Sequence, residues 1–334
     1  MDDAARIVND IKAGNIKPIY FLMGEEPYYI DRLSSYIEEN ILTDEEKGFN
    51  QTVLYGRDVE VEDIISTCKR YPMMAERQVV IVKEAQDLSR TIDKLESYAE
   101  NPMPSTVLVI CYKYKTVDKR KKVLKLIEKK GVVLETKKLY ENQVGDWIKR
   151  VLSGKNYNIE PKATAMLVDF LGTDLSKINN ELEKLQIILP KGAMITPKII
   201  EENIGFSKDY NTFELRKAIG ERNKLRAYQI ANYFAENPKE NPMVLTTGMV
   251  FSYFANVLQY HGLKDRSPKN VATVLKINPY FISDYVTATK NYPMKTVSRI
   301  VSSLREIDVK SKGVGANALP NSDLLKEMLI KIFA

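Results

Sequence analysis

Two short stretches hold residues placed as a phosphoryl-transfer site would need them. The first is Gly24-Glu-Glu-Pro-Tyr-Tyr29, which follows the apolar run Pro18-Ile-Tyr-Phe-Leu-Met23 and precedes a helical pattern from about Tyr28 to Asn40. Strand, glycine turn, helix is where a nucleotide-binding fold puts its phosphate loop. A working loop needs Gly-x-x-x-x-Gly-Lys-Ser/Thr: backbone amides cradle phosphate, the Lys neutralises charge and the hydroxyl binds magnesium. Here there is one glycine, no Lys and no Ser/Thr, and Glu25-Glu26 would repel a triphosphate. The second stretch is the strand Gln78-Val-Val-Ile-Val82 with its end, Lys83-Glu-Ala85. In a magnesium ATPase such a strand ends in Asp-Glu, the Asp helping to hold the metal and the Glu orienting the attacking water. Lys83 stands at the Asp position and would set cation against cation. The two losses are independent. Together they predict that no ATP is hydrolysed, with no catalytic residue, cofactor or metal ligand expected.

Just before that strand the sequence does something different. Ser66 to Arg70 reads as a helix end, and Tyr71-Pro-Met-Met74 as a short turn. Two adjacent large apolar residues occupy a turn that would normally be polar. By residue type alone they are either core or an anchor for a partner, and Met suits both because it is long and flexible enough to fill an irregular pocket.

Other chemistries are closed by composition. The single histidine, His261, lies in the helical stretch Phe251 to His261, and no Gly-x-Ser-x-Gly accompanies it, so a Ser/His/Asp triad is not expected. Cys68 and Cys111 with one histidine cannot supply a Cys/His zinc site, and the two read as reduced, packed thiols of a cytosolic protein. No run of about 18 apolar residues is present, so no membrane span is expected. The acidic start, Met1-Asp-Asp3, passes at once into a helical pattern, which gives no sign of a secretory signal.

The elements around these stretches fall into three groups. The 334 residues, 44% hydrophobic, suffice for two or three domains with real cores. Apolar runs at 18–23, 50–55, 78–82, 104–112 and 131–135 alternate with helical patterns at 4–13, 28–40, 61–69, 87–101 and 113–130, which argues a parallel α/β sheet with right-handed crossovers over residues 1–140. After Tyr140 only helical patterns appear. Residues 141–209 form a small helical domain, with Val144, Trp147, Ile148, Val151 and Leu152 as one stripe, Gly154 as a stop, helices at 161–171 and through Gly172 to Leu185, and a short last helix at 197–203. A polar link, Gly205 to Asn211, leads to a third, all-helical domain at 210–334, with helices at 213–220, 222–236, 242–264, 268–275, 279–290, 293–310 and 320–333 separated by turns such as Asn237-Pro238 and Tyr292-Pro293.

Charge follows the same division. Residues 1–140 carry 23 Lys+Arg against 24 Asp+Glu, residues 141–209 carry 9 against 10, and residues 210–334 carry 18 against 10, so the surplus behind the net +6 lies entirely in the last group. A moderate positive field can favour a polyanion, and it can equally be a solvated surface. The stretch Lys113 to Lys138, with 11 basic residues against 3 acidic, leaves the same two readings open.

Three residue groups, in order and with fitting spacing, resemble the delta subunit of the bacterial DNA polymerase III clamp loader. They are Ile19-Tyr-Phe-Leu-Met-Gly-Glu-Glu-Pro-Tyr28, Gly172-Thr-Asp-Leu-Ser-Lys-Ile-Asn-Asn-Glu-Leu-Glu-Lys-Leu185, and Arg305-Glu-Ile-Asp-Val-Lys-Ser-Lys-Gly313 followed by Leu324-Leu-Lys-Glu-Met-Leu-Ile330. The core Asn180 to Leu185 is the most specific. The resemblance implies a degenerate AAA+ α/β domain at 1–140, a three-helix lid at 141–209, and a helical collar at 210–334 that joins other loader subunits into a hetero-pentamer. It implies a subunit of a DNA polymerase complex with no intrinsic ATPase activity, and Ser176 stands where ATP-using relatives carry a sensing Arg. It implies that the chain binds the sliding clamp and opens it for loading onto primed DNA, through a hydrophobic turn here made of Tyr71, Pro72, Met73 and Met74. The family turn often carries Leu and Phe; here both anchors are Met. The partners implied are the clamp, the other loader subunits and primed DNA inside the assembled complex, in the cytoplasm and away from any membrane. Two other function classes stand beside this one: a nucleotide-binding ATPase, against which the missing loop residues and Lys83 argue, and a protein that binds DNA by itself, for which no helix-turn-helix or aromatic stacking motif stands out.

Overall fold

The computed structural model describes residues 2–204, 210–314 and 319–334. The chain divides into two compact units, Met1–Gln143 and Val144–Ala334.

The first unit is built on five parallel strands: β1 (Ile19–Gly24), β2 (Gln51–Tyr55), β3 (Gln78–Lys83), β4 (Thr106–Lys113) and β5 (Val132–Thr136), in the order β2-β3-β4-β1-β5. The three central strands are apolar between their end residues because both faces are covered, as a parallel sheet requires. Side chains alternate between the faces. Phe21, Val80, Val82, Leu108 and Ile110 meet Val61 and Ile64 of α4 (Val61–Cys68) and Val123, Leu124 and Ile127 of α6 (Lys122–Lys130). Tyr20, Leu22, Val79, Ile81, Val107 and Val109 meet Ile7 and Ile11 of α1 (Asp2–Lys12) and Ile30, Leu33 and Ile37 of α2 (Pro27–Asn40). Each such side chain taken out of water contributes about 1.5–3 kcal/mol, so the sheet is the rigid part of the unit.

The sequence expectations hold for all five strands to within two residues, with three departures elsewhere in the unit. Asn50 belongs to a helix, α3 (Asp44–Asn50), that the apolar pattern does not reveal; β2 begins one residue later. The single helix expected over 87–101 is two short 3₁₀ turns, Ala85–Leu88 and Ile92–Leu95, followed by one α turn, α5 (Glu96–Ala99). Ala85, Leu88, Ile92, Leu95 and Ala99 have helical spacing and are all buried, yet the chain wraps them against the sheet in separate turns. The basic stretch begins with an extended and turn segment, so that only Lys122–Lys130 is helical.

The second unit is helical apart from two short parallel strands, β6 (Asn158–Ile159) and β7 (Met194–Ile195), where only helices were expected. Its first helices are α7 (Glu141–Ser153), α8 (Pro161–Leu171), α9 (Leu175–Ile188) and α10 (Pro197–Asn203). Asp174 caps α9 by accepting from the Lys177 amide. Of the expected link at 205–211, residues 205–209 lie outside the described residues. The remaining helices are α11 (Thr212–Gly220), α12 (Lys224–Glu236), α13 (Met243–Gly262), α14 (Pro268–Leu275), α15 (Ile282–Asn291), α16 (Met294–Ser311) and α17 (Asn321–Phe333), with a 3₁₀ turn at Pro279–Phe281. Arg216 joins the early and late helices. Its guanidinium lies 2.9 Å from the Asp169 carboxylate and against the rings of Phe213 and Phe281. His261 is half-buried and donates through Nε2 to the Tyr292 carbonyl at 2.8 Å, which gives it a packing role.

Among the described residues, no helix is long and apolar enough to cross a membrane. Cys68 and Cys111 are buried and free, and burial pushes their thiols up to about 12 and about 11, far from any reactive thiolate range.

Candidate functional site

Strand β3 lies between the Tyr71–Met74 turn and the Lys83-Glu84 end singled out from the sequence. Its N-terminal end receives the chain from the Tyr71–Met74 turn, and its C-terminal end is Lys83-Glu84.

At the C-terminal end of the sheet, the backbone amides of Gly24, Glu25 and Tyr28 find their partners within the chain. The Gly24 amide donates to the Lys115 carbonyl at 3.1 Å and the Glu25 amide to the Thr136 carbonyl at 3.0 Å. The Tyr28 amide, on the first turn of α2, donates to the Glu26 carboxylate at 3.1 Å. A helix N-terminus attracts an anion; this one holds its own. Glu26 is buried, and Thr136 Oγ1 donates to its carbonyl at 2.8 Å. Gly24 (φ +140°) is also explained without phosphate, since a Cβ there would lie 2.1 Å from the Thr136 carbonyl oxygen. The glycine is required by the close approach of β5.

The charges beside this loop form a closed set. Lys113, at the end of β4 and largely buried, lies 2.7 Å from the Asp31 carboxylate and 2.8 Å from that of Glu84. Glu84 adopts a left-handed backbone (φ 52°) and accepts a further hydrogen bond from Gln86 Nε2 at 2.6 Å. Burial raises the Glu84 carboxyl, but the Lys113 and Gln86 hydrogen bonds outweigh it and hold the group below its ordinary value. Lys113 shows the converse: burial lowers it, and Asp31 and Glu84 together raise it above an ordinary lysine. Lys83, at the position of the missing Asp, pairs with Glu38 of α2 at 3.2 Å. The Lys83 ammonium at the end of β3 thus meets a carboxylate of α2. Among the described residues no group of three or more His, Cys, Asp or Glu side chains is arranged to hold a metal ion.

At the N-terminal end the turn is exposed and firmly built. Met74 is 103% exposed, Met73 62% and Tyr71 79%, so none of them is core; Pro72 is half-buried beneath them. Two buried side chains set the turn's shape. Asn50, the last residue of α3, accepts from the Met73 amide through Oδ1 at 2.7 Å and donates through Nδ2 to the Met73 carbonyl at 3.0 Å and the Glu46 carbonyl at 3.1 Å. At the base, the Gln78 amide group reaches the Cys68 and Arg70 carbonyls and lies 2.9 Å from Thr106 Oγ1, which itself donates to the Cys68 carbonyl at 2.8 Å. Both the end of α4 and the middle of the turn are therefore fixed by side chains from elsewhere. Met74 has φ 54°, a left-handed conformation that costs a non-glycine residue about 1 kcal/mol. A large apolar side chain held fully in solvent at a conformational cost is what a binding anchor looks like.

Sequence reasoning found the turn and missed Asn50, Gln78 and Phe49. Phe49 is 75% exposed on α3 and borders the same surface as Met73 and Met74. The basic stretch after β4 is largely spent on internal pairs: Lys119 with Glu135, Arg120 with Asp118, Lys121 with Asp93, and Lys122 with Glu96 and Glu100. Of its two readings, the solvated, self-paired face is the one these contacts favour.

Comparison with known proteins agrees with this arrangement. Residues 20–137 match the model for the DNA polymerase III delta subunit, and residues 209–330 match the model for the C-terminal domain of that subunit. The chain is 26% identical over 313 residues to DNA polymerase III subunit delta of Bacillus subtilis, with 90% of each protein covered. Its fold resembles the solved structure of the Bacillus subtilis DNA clamp loader delta protein, with a TM-score of 0.62, 24% identity and 99% of each chain covered. The two models fall one on each compact unit and between them span most of the sequence, and on that ground the chain belongs to the DNA polymerase III delta subunit family.

Proposed function

We propose that this chain is the non-catalytic subunit of a clamp loader that binds the sliding clamp through Tyr71, Pro72, Met73 and Met74. It opens one clamp interface for loading onto primed DNA during chromosome replication, as part of DNA polymerase III. The observation that carries this is the turn: Met73 and Met74 project into solvent from a backbone pinned by Asn50. Rigid apolar anchors lose little entropy on binding, which is how a small contact acquires affinity.

In this reading residues 1–140 are an AAA+-type domain without ATP chemistry. The amides of Gly24, Glu25 and Tyr28 are already bonded, and Lys113 neutralises Asp31 and Glu84; both support that view. Residues 141–209 act as the lid and 210–334 as the collar through which the subunit enters a hetero-pentamer. DNA is met inside the assembled ring, and the site of action is the cytoplasm.

The test is clamp binding by the isolated chain. A Met73→Ala/Met74→Ala variant keeps its melting temperature, because both side chains are exposed. It binds clamp at least about tenfold more weakly, since a lost apolar anchor costs about 2 kcal/mol or more. Unchanged affinity in a calorimetric titration rejects the assignment of the turn, and tight ATP binding by the isolated chain rejects the non-catalytic reading.

A further inference from the structure

Beside the methionines lies a groove of about 270 Å3, lined by Glu45, Glu46, Phe49, Asn50, Met73 and Met74. Its two walls come from different elements, α3 and the turn, and the Asn50 side chain locks them together through both polar groups of Met73. The groove therefore does not depend on a partner to form. Its size falls below the roughly 300–1,000 Å3 of small-molecule pockets and suits one or two protein side chains. Phe49, with no structural burden at 75% exposure, stands on its far side.

The rim is acidic, and its charges are not equivalent. Asp44 is paired with Lys47 at 2.7 Å, and Glu46 accepts from the Thr43 amide at 2.9 Å as part of a capping box. Glu45 is exposed and has no partner among the described residues. The groove therefore offers apolar walls with one uncommitted carboxylate at the edge. The complementary occupant is a large apolar side chain next to a Lys or Arg.

We propose that the groove between Phe49 and Met73/Met74 receives such a side chain from the sliding clamp, so that the contact is reciprocal: the methionines enter the clamp, and a clamp residue enters the groove with its basic neighbour on Glu45. This rests on the reading of the turn given above. It makes Phe49 an affinity determinant and Glu45 a specificity determinant. A basic segment is attracted to Glu45 and an acidic one repelled, while an apolar segment without charge gains only the walls.

The experiment titrates the full-length chain and its Phe49→Ala, Phe49→Leu and Glu45→Gln variants with the clamp of the same organism, at about 50 mM and about 300 mM salt, alongside Met73→Ala/Met74→Ala. Phe49→Ala weakens binding at least about tenfold and Phe49→Leu restores part of it, with melting temperatures unchanged. Glu45→Gln weakens binding about two- to fivefold at low salt, and the difference narrows at high salt as the charge is screened. If Phe49→Ala binds within about twofold of the parent while the methionine variant does not, the groove is empty in the complex and the proposal fails with the turn reading intact. If neither variant changes binding, both fail. A chain that self-associates through Phe49, seen by light scattering as a dimer that Phe49→Ala abolishes, overturns the assignment of the groove to the clamp.

Discussion

Asn50→Ala tests whether pre-organisation, and not contact alone, sets the strength of the turn. The side chain is buried and makes three hydrogen bonds, to the Met73 amide, the Met73 carbonyl and the Glu46 carbonyl. At about 0.5–1.5 kcal/mol each, their loss would cost up to about 4.5 kcal/mol. Met73 lies in an exposed turn, so water replaces two of them and the expected loss of folding stability is about 1–3 kcal/mol. The larger effect falls on binding. Without Asn50, Met73 and Met74 have to be ordered when the partner arrives, at about 1–2 kcal/mol per residue of backbone entropy. Gln78 still holds the base of the turn, so part of the order survives, and a net penalty of about 1.5–3 kcal/mol remains. That corresponds to roughly ten- to a hundredfold in Kd, from a residue that need not touch the clamp. The assay pairs a calorimetric titration against clamp with amide hydrogen exchange at Met73. The amide should be protected in the parent and fast in the variant, with Asn50→Asp, which keeps an acceptor for it, in between. Faster exchange with affinity within about twofold of the parent would refute the reasoning. So would an exchange rate that does not change, because Asn50 would then not be holding the turn.

Three further outcomes follow from the geometry. Met74→Gly removes the left-handed strain at φ 54°, so the melting temperature should hold or rise while clamp affinity falls at least about tenfold; a fall in both would mean that Met74 packs in the folded chain. Lys113→Met leaves Asp31 and Glu84 without their cation and should cost about 1–3 kcal/mol by urea unfolding at neutral pH. Glu84 has a depressed carboxyl, so its contribution is present above the ordinary carboxylate range and lost as pH falls through the lowered value; the gap between Lys113→Met and the parent should close on acidification, and a gap independent of pH would contradict the ion network. Gly24→Ala drives a Cβ to 2.1 Å from the Thr136 carbonyl and should lower stability by about 3 kcal/mol or more, whereas a melting temperature within a few degrees of the parent would show that β5 can yield.

What could be read from the sequence tracks how each feature is encoded. The five strands were legible because a parallel sheet covered on both faces needs continuous apolar runs, and few other structures of that length do. The turn was legible because Met73 and Met74 violate the polar habit of turns. Helix α3 was not, since Phe49 is its only large apolar side chain; the Thr43-x-x-Glu46 capping box was the signal present, and it closes in the structure. The 85–101 segment has helical spacing without a helix, because burial alone dictates that spacing and three separate turns meet it equally well. Strands β6 and β7, two residues each, are too short for any period. Asn50 and Gln78 act across 23 and up to 28 residues of sequence, and no local pattern reports a hydrogen bond of that span. The strand-glycine-helix order around Gly24 was legible, but the reason a glycine stands there, the close approach of the Thr136 carbonyl, belongs to a strand more than a hundred residues away.

Strand β3 has a mechanical consequence. It is hydrogen-bonded along its length to β2 on one side and β4 on the other, with the methionine turn separated by three residues from its first residue and the Lys83–Glu38 and Lys113–Glu84 pairs at or just beyond its last. A thrust delivered to the turn runs along the strand axis. It loads two ladders in shear, all their hydrogen bonds sharing it, where a sideways pull on an edge strand would open bonds one at a time. At the far end Lys83 pairs with Glu38 of α2, and Glu84, the next residue, pairs with Lys113 of β4. The turn is thereby connected to a strand paired on both sides, and a push along that strand is shared by both ladders.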